Sequence, residues 1–237
     1  GCLVERYRNE LQHELPEVDG WFGVNRPQEV ITRLGLAYRP ELNGERILTG
    51  PSHYAYLKVS EGCDRTCAFC AIPDIRGRYI SAPMEELVEE AQLLAGRGVR
   101  ELILIAQDLT LYGTDIYGRQ MLPELVRRLS EIDGLGWIRL HYLYPSDFPM
   151  EILEMMQDNH KICRYIDLPI QHISDSVLKM MRREHDSAST RRLLADIRRM
   201  VPDAAVRTTV IAGHPGETEK EFRELLEFIG EHRFDRL

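Results

Sequence analysis

The sequence predicts an α/β fold: a partial (β/α)6 barrel of the TIM type, preceded by the tail of another α/β unit. Three observations carry this. From Tyr54 onward, strand-like apolar runs alternate with amphipathic helical patterns, which means parallel strands joined by right-handed crossovers. The chemistry-bearing loops all follow strand C-termini, the face on which barrels build active sites, and this favours a barrel over a flat doubly wound sheet. Residues 1–35 read as helix, strand and helix, a piece too small to bury a core of its own.

Composition narrows the class. The chain has 237 residues with 43% hydrophobic side chains, enough for one large α/β domain or two small ones. No apolar run approaches the ~20 residues a membrane span needs. Five cysteines, three of them clustered, argue for a reducing cytosol rather than a disulfide framework. The formal net charge of −8 favours a basic protein partner over nucleic acid held through its phosphates. Residue 1 is Gly rather than Met, which suggests a fragment or processed chain.

Taken in order, residues 3–15 form an amphipathic helix with Leu3, Val4, Tyr7, Leu11 and Leu15 on one face, ended by Pro16. Val18–Val24 reads as a short strand and Pro27–Leu34 as a second helix stopping at Gly35. Residues 36–53 are polar, with Pro40, Asn43-Gly44 and Gly50-Pro51, and make a linker between domains. The main domain then runs over 54–237.

Tyr54–Val59 is its first strand, and a cysteine loop follows directly. Ser81-Ala82-Pro83 opens a helix with Glu85 and Glu86 in its first turn and Met84, Leu87, Val88, Ala91 and Leu94 on its apolar face. Leu102–Ala106 is a continuous apolar run, as a buried parallel strand requires. The next helix carries Leu122, Leu125, Val126, Leu129 and Ile132; then come a strand at Trp137–Leu143 and a helix from Phe148, capped by Ser146-Asp147. Tyr165–Ile170 is a strand, with Cys163 as a core side chain just before it. A short helix through Met181, a longer one at Thr190–Val201 and a strand at Ala205–Ala212 follow. Thr218 and Glu221 make a capping box for a helix carrying Phe222, Leu225, Leu226 and Ile229. Phe234–Leu237 is the entry to a sixth strand.

The chemistry centres on Gly62-Cys63-Asp64-Arg65-Thr66-Cys67-Ala68-Phe69-Cys70. Thiolates select zinc, copper(I) or iron–sulfur clusters. A structural zinc site wants four ligands, and this loop offers three at spacing C-x3-C-x2-C with no fourth Cys or His. Three thiolates on a cubane leave one iron open to a small molecule. The plain alternative is three unrelated buried thiols.

An aromatic residue just before the third cysteine completes a loop that resembles the signature of the radical SAM superfamily. The resemblance implies the same barrel, with the loop after its first strand. It also implies that Cys63, Cys67 and Cys70 hold a 4Fe–4S cluster whose open iron chelates S-adenosylmethionine (SAM), and that Phe69 lies beside the adenine. Gln107 and Asp108, after the second strand, stand where the family holds the SAM amino group; otherwise they are an ordinary polar βα loop. Gln171 and His172, after the fourth strand, stand where the family contacts SAM or substrate. Val210-Ile211-Ala212-Gly213-His214-Pro215-Gly216-Glu217 resembles the family's adenine-packing segment, with Val210 and Ile211 as apolar contacts, although Thr208 replaces its first glycine. Arg207 is a candidate for the SAM carboxylate. His141 reads as a core histidine, while Tyr144 and Pro145 are better placed to line the mouth.

Resemblance to the methylthiotransferase family within that superfamily spans essentially the whole chain. Gly1-Cys2-Leu3, Glu5-Arg6-Tyr7 and Pro16-Glu17-Val18-Asp19 resemble the end of its N-terminal domain, so that 1–35 would be that domain's tail. There Cys2 would be one ligand of a second, auxiliary 4Fe–4S cluster whose partner cysteines lie outside this chain. Two branches exist. Gln107-Asp108, Leu140-His141-Tyr142-Leu143-Tyr144-Pro145 and Pro169-Ile170-Gln171-His172 look like the RimO-type branch, which modifies an aspartate of small-subunit ribosomal protein S-twelve. The tRNA branch tends to carry Gln-Asn and Ser-His-Pro at the first two of these sites. The implied reaction is reductive cleavage of SAM to a 5′-deoxyadenosyl radical, hydrogen abstraction from the aspartate β-carbon, and transfer of sulfur and methyl to that carbon. It implies an electron donor, a sulfur source and a cytoplasmic enzyme. A tRNA adenosine methylthiotransferase and a non-catalytic zinc module are the alternatives.

Overall fold

The computed structural model describes residues 1–24, 26–39 and 46–237. Pro40 and Asn43-Gly44, read above as part of a linker, lie outside the described residues. In chain order the elements are α1 (Cys2–Glu14), α2 (Pro27–Arg33), β1 (Tyr54–Lys58), β2 (Ser60–Glu61), α3 (Ile72–Arg76), β3 (Ile80–Ser81), α4 (Met84–Gly96), β4 (Glu101–Ile105) and α5 (Thr114–Tyr117). Then follow α6 (Leu122–Ser130), β5 (Trp137–Leu140), α7 (Glu151–Asp158), β6 (Ile162–Asp167), α8 (Asp175–Met180), α9 (Ser187–Met200), β7 (Ala205–Arg207) and α10 (Glu219–His232).

One parallel sheet runs in the order β1-β4-β5-β6-β7. Neighbours in sequence are neighbours in space, and helices fill every crossover, so the strands form the wall of a partial barrel. Arg236 bridges Arg207 in parallel, which makes the expected start of a sixth strand. Alternate residues of the strands face the helices. Leu57, Leu102, Leu104, Ile138, Leu140, Ile166 and Val206 are wholly buried in one core with Leu87, Leu94, Leu125, Leu129, Ile152, Ile197 and Phe228. Each such side chain contributes about 1.5–3 kcal/mol of transfer free energy. The opposite residues, among them Ile103, Arg139, His141, Tyr165 and Arg207, line a cavity on the other face of the sheet.

Several elements depart from the sequence reading. Val18–Val24 is not a strand; among the described residues no strand lies alongside to receive its peptide groups, and the Trp21 carbonyl accepts from Arg8 instead (3.2 Å). The helix expected from Phe148 begins at Glu151. Pro149 keeps Phe148 out of helical conformation, and the Asp147 carboxylate turns to Arg65 (3.4 Å) rather than capping. β5 stops at Leu140 because Tyr142 takes a left-handed φ of 61°. β6 begins earlier than expected and includes Cys163, which is half-buried rather than core. It ends at Asp167, before Pro169, which has no N–H for the ladder. α9 starts at Ser187, capped by Asp186. The Thr218–Glu221 capping box forms as expected. Among the described residues no helix is long and apolar enough to cross a membrane.

Candidate active site

The loop after β1 is shaped by its own backbone before any side chain acts. β2 and β3 pair antiparallel and pinch the loop between them. Cys63 N–H donates to the Gly77 carbonyl (3.2 Å), and Ala68 N–H to the Met181 carbonyl (2.9 Å), so the loop is tied at one end to itself and at the other to the turn after α8. Gly62 sits at φ 80°. A Cβ there would overlap the Arg78 carbonyl and come 2.7 Å from the Gly77 oxygen. Gly62→Ala is therefore expected to destabilise the protein by about 2–5 kcal/mol, summing left-handed strain and overpacking against fixed backbone. Urea unfolding measures this, and a loss below about 1 kcal/mol would show the loop yields freely.

Cys63, Cys67, Phe69 and Cys70 face one cavity of about 250 Å³ with Gln107, Asp108 and Gln171. The site residues read from three separate strand ends thus meet. Cys63 is buried, Cys67 half-buried and Cys70 exposed. Burial pushes the Cys63 thiol up to about 11, so binding a metal there must release its proton. Among the described residues no three His, Cys, Asp or Glu side chains converge as ligands of a single ion. A cubane places each thiolate on a different iron and needs no such convergence.

Two acceptors wait in the cavity wall. Gln107 Oε1 and Gln171 Oε1 are buried with no hydrogen-bond partner among the described residues, a costly condition unless a ligand donates to them. Gln171 is held at φ 69° by a ladder fragment: its N–H donates to Thr209 O (2.9 Å), and its carbonyl accepts from Ile211 N–H (2.8 Å). Such left-handed non-glycine residues gather at functional sites, and Tyr142, on the same cavity, is a second one. Three loop thiols beside orphaned amide oxygens fit a 4Fe–4S cluster with a polar, amine-bearing ligand.

Asp108 is differently employed. It is 1% exposed; Oδ2 accepts from Arg65 Nε (2.9 Å), and Oδ1 accepts from the Thr110 N–H (3.0 Å) and hydroxyl. Its carboxylate anchors Arg65 beneath the loop. Arg207, Val210 and Ile211 do not line the cysteine cavity. Arg207 faces the adjoining cavity with His141 and pairs with the fully buried Asp167 (3.0 Å); Ile211 meets the site through its backbone bond to Gln171. His172 is fully buried. Its Nδ1 accepts from Ser174 N–H (3.0 Å), and Nε2 lies 3.5 Å from Glu217 Oε1. Glu217 in turn accepts from the Gly213 and His214 N–H groups, so His172 braces the loop after β7. Pro145 stays off the cavity, while Tyr144 lines it.

The sequence reading missed Arg65, Tyr142, Leu143, Pro169, Arg183 and Thr209 as lining residues. Arg65 sits inside the cysteine motif and is 7% exposed; a charge at a position enclosed by three cysteines was the one available signal. Nothing local marks Arg183, which arrives from the turn after α8. Nearby, burial pushes the His185 imidazole down to about 4, and the neutral ring lies against Tyr144 with centroids 5.8 Å apart.

Comparison with known proteins agrees with this geometry. The family description "Radical SAM superfamily" matches residues 57–229. The chain is 55% identical over all its residues to a protein of Flavobacterium johnsoniae named ribosomal protein uS12 methylthiotransferase RimO, covering 54% of that relative. Proteins of the same name from Cytophaga hutchinsonii and Bacteroides thetaiotaomicron are 53% and 52% identical over the whole chain. The chain spans about half the length of the curated relatives it matches. Among solved structures, the radical SAM methyltransferase TsrM of Kitasatospora setae superposes with a TM-score of 0.60 over 76% of this chain and 35% of its own, at 21% identity. Coproporphyrinogen III oxidase HemN of Escherichia coli superposes at 0.56 over 84% of this chain and 46% of its own, at 18% identity. These structures share the fold. With more than half its length matched to the family description, the chain belongs to the radical SAM superfamily, whose cofactors are a 4Fe–4S cluster and SAM.

Proposed function

We propose that this chain is the catalytic core of a methylthiotransferase that adds a methylthio group to the β-carbon of an aspartate in ribosomal protein S-twelve. The carrying observation is the meeting of Cys63, Cys67 and Cys70 with the unpartnered Gln107 and Gln171 oxygens in one cavity. The names of relatives 52–55% identical over the whole chain support the substrate. So does the acidic balance of −8, which suits a basic ribosomal protein.

In this reading Cys63, Cys67 and Cys70 hold the cluster, which with SAM bound supplies the 5′-deoxyadenosyl radical. Gln107 and Gln171 accept hydrogen bonds from the SAM amino group, and Phe69 lies along the adenine. Asp108 acts through Arg65 by fixing the loop. Val210 and Ile211 contribute through the segment braced by Glu217 and His172. Arg207 serves the adjoining cavity and not the SAM carboxylate. Residues 1–35 belong to a preceding domain, 36–53 connect it, and 54–237 form the core. Cys2 ligates a second cluster; α1, which begins at Cys2, packs on α3, the helix that follows the cysteine loop. An electron donor and a sulfur source act with the enzyme in the cytoplasm.

The test offers S-twelve and tRNA separately to the full-length enzyme, reconstituted anaerobically with iron and sulfide and supplied with SAM and a reductant. The expected result is a methylthio mass gain on one S-twelve aspartate. Product on tRNA alone would overturn the substrate, and a colourless zinc protein would overturn the cluster.

A further inference from the structure

Two arginines share the ring of Tyr144, and their charges are treated differently. The Arg65 guanidinium carbon lies 4.2 Å from the ring centroid and that of Arg183 lies 3.9 Å from it. Arg65 is neutralised by Asp108 (2.9 Å), Asp147 (3.4 Å) and Glu184. Among the described residues Arg183 pairs with no carboxylate. One of its terminal nitrogens donates to the Pro169 carbonyl (2.8 Å), the other to Cys67 Sγ (3.5 Å), and Nε is buried without a partner. The backbone holds this arm in place. Arg183 N–H donates to Leu178 O (2.9 Å), and Met181, two residues earlier, accepts from Ala68 N–H of the cysteine loop (2.9 Å). A full positive charge with no counter-ion among the described residues is thus fixed on one thiol of the motif, inside a half-buried site.

We propose that Arg183 sets the reduction potential of the cluster, by giving Cys67 Sγ a charged hydrogen bond and an uncompensated positive charge. The inference rests on the cluster reading above. An added electron spreads negative charge over the irons, sulfides and thiolates. A nearby cation therefore stabilises the reduced form more than the oxidised one, and hydrogen bonds to sulfur act in the same sense. The Tyr144 ring carries the guanidinium at modest cost because the cation lies against a π face.

The test is a redox titration of the full-length reconstituted protein, followed by the EPR signal that changes on adding SAM, which marks the cluster with an open iron. Iron and sulfide content are measured in parallel. Arg183→Gln is expected to load the cluster and to lower its reduced-to-oxidised ratio at fixed potential about tenfold, which for a one-electron couple is about 59 mV. Arg183→Lys, which keeps the charge and loses the fork, is expected to fall about threefold; it decides the matter if the Gln variant does not load. A loaded variant within about twofold of the wild-type ratio would overturn the inference and leave the cluster reading intact. A wild-type protein that takes up no iron would overturn both.

Discussion

Replacing Cys67 by Ala is expected to abolish the brown iron–sulfur chromophore and, with it, cleavage of SAM to 5′-deoxyadenosine. The side chain is half-buried, so folding should change by less than about 1 kcal/mol, as for most substitutions away from a packed core. The chemistry should suffer far more. Changes to the outer partners of a metal site cost about 10–100-fold, and loss of a thiolate ligand should exceed that. Three thiols are all the motif offers, and no other cysteine lines the cavity to replace the missing one. Iron and sulfide content, absorbance near ~400 nm from thiolate–iron charge transfer and 5′-deoxyadenosine formed per protein measure the effect. A Cys67→Ala protein that keeps full iron and cleaves SAM at the wild-type rate would remove the loop from the active site.

Arg65→Met is expected to destabilise the fold by about 3–5 kcal/mol, because it strands a buried carboxylate. Asp108 is 1% exposed and takes its charge-balancing bond from Arg65 Nε. Thr110 supplies hydrogen bonds but no charge. Asp147 and Glu184, which also touch Arg65, are 59% and 52% exposed, and solvent screens their loss to within ~1 kcal/mol each. The distinctive result lies in the double variant. Arg65→Met with Asp108→Asn removes the stranded charge and should recover at least half the loss, a coupling readable from urea midpoints in a double-mutant cycle. Additive effects would mean that Arg65 acts through packing on Tyr144 instead.

Much of the fold was legible because its elements depend on local pattern. The alternation of Leu102–Ala106 and similar runs with helices such as 84–96 dictates parallel strands, and the sheet has the strand order that alternation implies. The capping box at Thr218 and Glu221 formed because all its partners lie within four residues. Errors fell where long-range partners decide. Val18–Val24 has a strand's composition but no neighbouring strand among the described residues. Asp147 has a cap's chemistry, yet Arg65, 82 residues away in sequence, claims its carboxylate.

The sequence by itself determined which candidate groups exist: the spacing of Cys63, Cys67 and Cys70 and the strand-end positions of Gln107 and Gln171 are properties of the chain order. Tertiary structure alone decided how those groups are employed. It left the two glutamine oxygens free, bound Asp108 to Arg65, turned Arg207 toward Asp167, and brought Arg183 across 116 residues to Cys67. The physical reason is that spacing specifies which donors exist. Whether a donor is free, paired or charged depends on burial and on partners from other strands, and the assembly of the partial barrel supplies both.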